Sequence, residues 1–253
     1  MIGIVGGVGP YAGLDLAKNI FDNTIADTDQ DHLDLLMLSV PQTITDRTEY
    51  LMGRDETNPG AAIARVLMRM EKAGATVAGI PCNTAHAEGI FGVIEKALEH
   101  AGAKIMLINM AQETVKAIRE EYPAVKNVAV LSTTGTYKFG IYAKPLKEEK
   151  LKIFVPGFET QDNVVHAAIY NREYGIKAKA NPVTDRARSD LLDVARQLVD
   201  QGAELIIKGC TEIVLAIPED KIYGVPTIDP SVVLARRLVE IECPEKLKWR
   251  DKR

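Results

Sequence analysis

Two cysteines end near-matching segments of this 253-residue chain. Cys82 comes eight positions after Gly74, and Cys210 comes eight positions after Gly202; in both segments a Gly-Ala pair and an apolar run precede the cysteine. This repeat predicts two equivalent strands, each followed by a thiol. Two thiols on opposite sides of one carbon could remove a proton from one face and return a proton to the other, which is the chemistry of racemisation or epimerisation.

The repeat extends beyond the cysteines. Gly3–Gly9 aligns with Ala129–Gly135 at a shift of 126 residues, whereas the cysteines are 128 apart. The difference of two is a small insertion of the kind that surface loops tolerate. Each half is therefore predicted to open with a buried strand that ends in a turn of small residues, and strand ends are where open α/β sheets bind ligands.

The surroundings of the cysteines separate two of them from the third. Cys82 and Cys210 each follow an apolar strand and precede polar residues at a predicted helix start, where free N–H groups and the helix dipole favour thiolate, so we expect a lowered pKa for both. Cys243 lacks this motif and is interpreted as structural. His86 is interpreted as a packing or capping residue, because its counterpart in the repeat is Val214.

The glycine-rich loop after the first strand is a second candidate binding element. It matches the letter of the dinucleotide fingerprint G-x-G-x-x-A, but the next strand ends in Ser39-Val40-Pro41 and offers no carboxylate for a ribose. A nucleotide site is therefore disfavoured. Because backbone N–H groups at a helix start hold anions, we expect Gly7, Gly9 and Pro10 to bind a substrate carboxylate.

Composition narrows the class of protein. A net charge of −4 without a basic cluster argues against a nucleic-acid partner. No apolar run reaches the roughly 18 residues that span a bilayer, and a core strand already occupies residues 1–5, so we expect a cytoplasmic protein. Three cysteines without a Cys-x-x-Cys pair, and four histidines, do not form a disulfide framework or a zinc site.

Strand-like and helix-like segments alternate along the chain, which predicts an α/β fold with mainly parallel sheets flanked by helices. The duplication divides it into two pseudo-symmetric domains, 1–112 plus 226–253 with Cys82 and 113–225 with Cys210. Strands are predicted at 1–5, 34–40, 76–80, 105–108, 128–131, 152–155, 205–208 and 227–228, and the clearest helices at 58–73, 111–121, 184–201 and 231–242.

Segments 6–10, 81–86 and 208–213 together resemble the aspartate/glutamate racemase superfamily, in its aspartate racemase branch, and the likeness covers essentially the whole chain. The resemblance implies an active site in the cleft between the domains and racemisation by two cysteines, one as thiolate base and one as thiol acid, with neither pyridoxal phosphate nor a metal. It implies that Cys82 acts on the D-enantiomer. The α-carboxylate and ammonium of the substrate would be bound by Asn83, Thr84, Ser132, Thr133, Thr134 and Thr211.

Basic residues are expected to choose the substrate. Arg47 matches the position at which aspartate racemases keep an arginine for the side-chain carboxylate, and its planar guanidinium suits a two-point contact. The alternative is an exposed loop arginine paired with Asp46. The second basic residue of the family is assigned to Lys177, with Arg172 as the other candidate. Glu212 is expected to orient the substrate ammonium or the helix start.

These assignments predict a racemase of aspartate, with glutamate or a broader range of amino acids as further candidate substrates. Two alternatives remain open: a related cysteine-dependent enzyme such as a hydantoin racemase or maleate isomerase, and a non-catalytic amino-acid-binding protein. The two cysteines together with Arg47 favour the amino-acid racemase. We expect a homodimer that binds a small amino acid as its substrate.

Overall fold

A computed structural model describes residues 1–249 and contains two compact α/β units. The first unit comprises Met1–Glu113 and the chain from Ser231 onward, and the second comprises Thr114–Pro230. The predicted fold class, with parallel sheets flanked by helices, is confirmed. The last four residues of the predicted first domain, 250–253, lie outside the described residues. No helix in residues 1–249 is long and apolar enough to cross a membrane.

The eight predicted strands and the four predicted helices are present, and their ends agree with the predicted bounds to within two residues. The strands are β1 Ile2–Gly6, β2 Leu35–Ser39, β3 Val77–Gly79, β4 Met106–Ile108, β5 Asn127–Ser132, β6 Lys152–Phe154, β7 Leu205–Gly209, β8 Lys221–Ile222 and β9 Val225–Ile228. The helices are α1 Pro10–Asp22, α2 Arg47–Leu51, α3 Pro59–Lys72, α4 Glu88–His100, α5 Met110–Glu121, α6 Thr134–Lys138, α7 Ala143–Glu148, α8 Phe158–Thr160, α9 Ala167–Tyr170, α10 Asp185–Asp200, α11 Ile213–Ala216 and α12 Pro230–Glu242.

The sheet of the first unit has the strand order β2-β1-β3-β4, with all neighbours parallel. All five residues of β1 are buried, as expected for a parallel strand covered on both faces. Helices α3 and α4 supply apolar side chains to one core cluster, and α1 and α12 supply them to another. A Cβ added to Gly79 would lie 2.9 Å from a Leu234 methyl group, so glycine lets α12 approach the sheet closely.

The sheet of the second unit has the order β6-β5-β7-β9-β8 and repeats the first. Gly3 pairs with Ala78 in the first unit, and Ala129 pairs with Ile206 in the second. These pairs are related by the same shifts of 126 and 128 that relate the two halves of the sequence. The two cysteines therefore follow equivalent strands, β3 and β7, in equivalent register.

The last strand pair departs from the predicted pattern. The two-residue strand β8 runs antiparallel to β9 and was not predicted. Tyr223 and Gly224, which connect them, both have positive φ, 49° and 83°, as in the tight turns that join antiparallel strands.

Candidate active site

The predicted residues of the first unit lie beyond the carboxyl ends of its parallel strands. Strand β1 leads into the loop with Gly7 and Gly9, β2 precedes the helix that begins at Arg47, and β3 precedes Cys82. Parallel strands place their carboxyl ends at one edge of the sheet, which is where open α/β sheets bind ligands.

Cys82 is buried, with 7% of its surface exposed, and a 3-10 turn, Asn83–His86, begins directly after it. Asn83 and Thr84 are buried in the same turn. The Nδ1 of His86 donates to the Cys82 carbonyl at 2.9 Å, and the imidazole stacks on Phe91. Burial lowers the pKa of His86 to about 4, so the ring is neutral at pH 7, in agreement with a packing and capping role.

The glycine loop has a backbone that side chains would disturb. Gly7 and Gly9 have φ values of 81° and 120°, and a Cβ on Gly7 would lie 2.7 Å from the nitrogen of Pro41. Pro10 is the first residue of α1, whose N-cap is Gly9 and which has no side-chain cap. Such a helix start suits an anion, and the carboxylate contact stays a prediction.

Arg47 is the first residue of α2 and is 7% exposed. The carboxylate of Asp46 caps this helix by accepting from the amides of Thr48 and Glu49, at 2.8 and 3.0 Å. Helix α2 contacts the 3-10 turn that follows Cys82. The alternative of an exposed loop arginine is therefore wrong, because Arg47 is buried at the start of a helix that contacts the turn of the first cysteine.

In the second unit, Cys210 is part of a buried polar cluster. It is 5% exposed, and its Sγ donates to Oε2 of Glu212 at 3.0 Å. The other oxygen, Oε1, forms an ion pair of 2.5 Å with Nζ of Lys177. The Thr211 hydroxyl lies 3.3 Å from Oε2, and Lys177 Nζ lies 5.2 Å from the centre of the Tyr170 ring.

The electrostatics of this cluster correct one expectation. Burial raises the pKa of the Cys210 thiol well above its usual value, and the charge of Glu212 raises it further against the opposing charge of Lys177. The prediction of a lowered pKa is wrong for Cys210, since the helix that follows, α11, has only four residues and a carboxylate lies against the sulfur.

Glu212 and Lys177 carry opposite charges. Burial favours the neutral form of Glu212, but the charge of Lys177 and the hydrogen bonds to the carboxylate hold its pKa below the usual value. Burial likewise opposes the charge on Lys177, and Glu212 reverses this, so the pKa of Lys177 is raised. The cluster therefore contains a true ion pair with a neutral thiol hydrogen-bonded to it.

A tight turn places Lys177, one of the two basic candidates, beside Glu212. The amide of Lys177 donates to the Ile169 carbonyl at 3.0 Å, which returns the chain towards α9. A Cβ on Gly175 would lie 2.6 Å from the backbone of Asn171, so this turn requires glycine. Lys177 thereby reaches the Cys210 cluster, whereas Arg172 is exposed. Its contact with substrate stays a prediction.

Three of the predicted hydroxyl-bearing residues, Ser132, Thr133 and Thr134, lie at the carboxyl end of β5. Ser132 pairs with Gly209 across the sheet, which places it beside the cysteine that follows β7. Thr133 caps α6 by accepting from the amide of Thr136 at 3.2 Å. All three residues of the Ser132–Thr134 segment are buried.

A π-helix, Gln161–His166, supports that segment and was not recognised in the sequence. The Nε2 of Gln161 donates to the Ser132 carbonyl at 2.9 Å. Thr134 donates its hydroxyl to Asp162 at 3.0 Å and its amide to Nδ1 of His166 at 3.3 Å. A π-helix breaks the 3.6-residue period, so periodicity carried no signal for these residues.

Comparison with known proteins identifies the family of this chain. A profile of the Asp/Glu/Hydantoin racemase family matches residues 5–238. A broad specificity amino-acid racemase of Bacillus subtilis (strain 168) is 27% identical over 248 residues, which cover 94% of this chain and 96% of that protein.

Solved structures extend the likeness to the fold. The aspartate racemase of Picrophilus torridus is 27% identical and superposes with a TM-score of 0.76, over 95% of this chain and 93% of that one. Glutamate racemase of Francisella tularensis in complex with D-glutamate shares the fold, with a TM-score of 0.65 at 17% identity over 99% and 84% of the two chains. The family predicted from the cysteine and glycine motifs is confirmed: this chain belongs to the Asp/Glu/hydantoin racemase family.

Proposed function

We propose that this amino-acid racemase interconverts enantiomers by a two-base reaction in which Cys82 and Cys210 serve opposite faces of the α-carbon. The observation that carries the proposal is the equivalence of the two thiols, which follow β3 and β7 in the same register of a duplicated fold. A reaction whose two directions are mirror images needs the same kind of group twice. The proposal requires both thiols to reach one α-carbon.

The chemistry is a pair of proton transfers. One cysteine, as thiolate, takes the α-proton, and the electron pair of the broken C–H bond spreads onto the α-carboxylate. The other cysteine, as thiol, gives its proton to the opposite face. Hydrogen-bond donors aimed at the α-carboxylate stabilise the charge that develops there. We assign this role to the amides of the glycine loop (Gly7, Gly9, Pro10) and to Asn83, Thr84, Ser132, Thr133, Thr134 and Thr211.

Each turnover leaves the enzyme in the complementary protonation state. The thiolate has become a thiol and the thiol a thiolate, so the enzyme that has converted one enantiomer is ready for the reverse reaction. Neither step needs an electron sink, which is why we propose catalysis without pyridoxal phosphate.

Aspartate is the proposed substrate. Arg47 is a buried cation in a helix that contacts the turn of Cys82, and Lys177 is a cation in the cluster of Cys210. A substrate with a second carboxylate fits such cations better than an apolar amino acid does. The likeness to an aspartate racemase supports aspartate, and the likeness to a broad specificity racemase supports slower reaction with other amino acids, glutamate included.

Deuterium exchange at the α-carbon tests the proposal. In heavy water the wild-type protein should exchange the α-proton of both D- and L-aspartate. Cys82→Ala and Cys210→Ala should each abolish racemisation and should each retain exchange with one enantiomer only, with Cys210→Ala still exchanging the D-enantiomer. Cys243→Ala is the matched control and should behave as wild type.

Two results would contradict the proposal. Near wild-type racemisation by either Cys82→Ala or Cys210→Ala would exclude the two-base assignment. Binding of aspartate without any α-proton exchange in the wild-type protein would indicate a non-catalytic amino-acid-binding protein.

A further inference from the structure

The carboxylate of Glu212 has contacts that an expected role in orienting the substrate ammonium does not explain. It is buried, with 7% of its surface exposed, and both oxygens are engaged inside the protein. Oε2 accepts from the Cys210 thiol at 3.0 Å, and Oε1 pairs with Lys177 at 2.5 Å. A carboxylate held in this way is poorly placed to bind a substrate ammonium, so the expected role of Glu212 needs revision.

Lys177 is itself held from its backbone to its ammonium. The hydrogen bond from its backbone amide to the Ile169 carbonyl fixes the backbone, and Nζ lies 5.2 Å from the centre of the Tyr170 ring. Tyr170 in turn stacks on His166 at a centroid distance of 4.5 Å. The ammonium that pairs with Glu212 is therefore held in place by the backbone turn and by the Tyr170 ring.

We propose that Glu212 is a positioning residue that keeps Cys210 in its thiol form in the resting protein, while Lys177 holds the Glu212 carboxylate against the sulfur. The inference rests on the proposed two-cysteine reaction and deepens it, because it makes Cys210 the acid and Cys82 the base of the first turnover. Within the described part of the chain, no carboxylate makes an equivalent hydrogen bond to the thiol of Cys82.

Charge and hydrogen bonding act in the same direction. A thiolate at Cys210 would lose the bond that its S–H donates and would face the charge of Glu212. The titratable groups of the second unit that act on Cys210 are Glu212, Lys177 and Tyr142. Burial raises the pKa of Tyr142, which stays neutral, so the Glu212–Lys177 pair provides the charges.

The proton balance of the step is simple. When Cys210 acts as acid, its S–H bond breaks and a C–H bond forms on the substrate carbanion. The thiolate that results is next to the Glu212–Lys177 ion pair, in which the ammonium offsets the carboxylate charge. Taking a proton back, from substrate or from water, restores the hydrogen bond to Glu212.

The test measures the thiol directly. Alkylation of Cys210 by iodoacetamide is followed by peptide mass spectrometry as a function of pH in the full-length protein without substrate, since only the thiolate reacts. Glu212→Gln removes the carboxylate charge and should speed alkylation below the thiol pKa by about tenfold for each unit by which that pKa falls. Lys177→Met removes the cation that offsets the charge of the Glu212 carboxylate and should slow alkylation of Cys210.

The chain contains a matched control. Cys243 Sγ donates to Oε1 of Glu245 at the same 3.0 Å, but Glu245 is exposed. Solvent screens charge there, so Glu245→Gln should change Cys243 alkylation little and Cys210 alkylation not at all. Alkylation of Cys82 in the same digests reports whether a variant has become more open in general.

Opposite shifts at Cys210 in the two variants, with Cys82 unchanged, are the expected result. An unchanged or slower Cys210 alkylation in Glu212→Gln would overturn the proposal, and so would an unchanged or faster one in Lys177→Met. Thermal unfolding verifies that each variant is folded. Either variant alone is enough to test the proposal if the other does not fold. Because the readout is alkylation, failure of the racemase proposal appears separately, as missing α-proton exchange in the wild type.

Discussion

Replacement of Arg47 by leucine should remove the preference for aspartate while leaving reaction with alanine largely intact. Arg47 is 7% exposed, so a carboxylate bound to its guanidinium would be shielded from water. Loss of one partner of such a hydrogen-bonded charge pair costs roughly 2–4 kcal/mol. At about 1.36 kcal/mol for each factor of ten, kcat/KM for aspartate should fall about 30- to 900-fold. Arg47→Lys should recover only part of this loss, because an ammonium cannot make a planar two-point contact.

The assay compares kcat/KM for aspartate and for alanine in the same protein preparation, so a general loss of folded enzyme cancels. Arg54→Leu is the control, since Arg54 is an exposed arginine of the same unit that pairs with Glu49 at 3.0 Å. An unchanged ratio of aspartate to alanine in Arg47→Leu would refute the reasoning. The side-chain pocket would then lie around Lys177, and the substrate assignment would shift to broad specificity.

Three further predictions concern cofactors, acid stability and the strand that precedes Cys210. Racemisation should survive EDTA and hydroxylamine, and activity that is lost and then restored by a metal or pyridoxal phosphate would contradict the proposed chemistry. The pKa of His86 is lowered to about 4 in the folded protein, so the unfolded chain binds its proton first as pH falls. Stability should therefore fall between about pH 7 and about pH 4.5 by roughly 2–3 kcal/mol through this residue, and urea unfolding of His86→Asn should show a weaker pH dependence. A Cβ on Gly209 would lie 2.9 Å from the Leu131 carbonyl oxygen, so Gly209→Ala should cost about 1–3 kcal/mol in thermal unfolding, whereas Gly89→Ala, with no atom within 4 Å of its added Cβ, should not destabilise.

Local sequence patterns were enough to predict the fold class of this protein and the positions of its main strands. Apolar runs and helical periods located the eight predicted strands and the four predicted helices to within two residues, because each buried face repeats along a few consecutive residues. The repeat of Gly74 to Cys82 in Gly202 to Cys210 identified equivalent strands, because a duplicated sequence preserves strand register. The family followed from the same segments. The two-residue strand β8 was not predicted, because it is too short to show a pattern.

The contacts around Cys210 were decided only by the tertiary structure. The sequence placed this cysteine before a helix and so predicted a lowered thiol pKa, but the packed chain buries the thiol against Glu212 and raises it. The pairing of Lys177 with Glu212 depends on a turn, and the hydrogen bond from Thr134 to Asp162 depends on a π-helix that has no sequence period. These contacts join residues that are about 30 positions apart in the chain, such as Lys177 and Glu212 at a separation of 35. Their charges act through burial and distance, and both quantities exist only once the chain has folded.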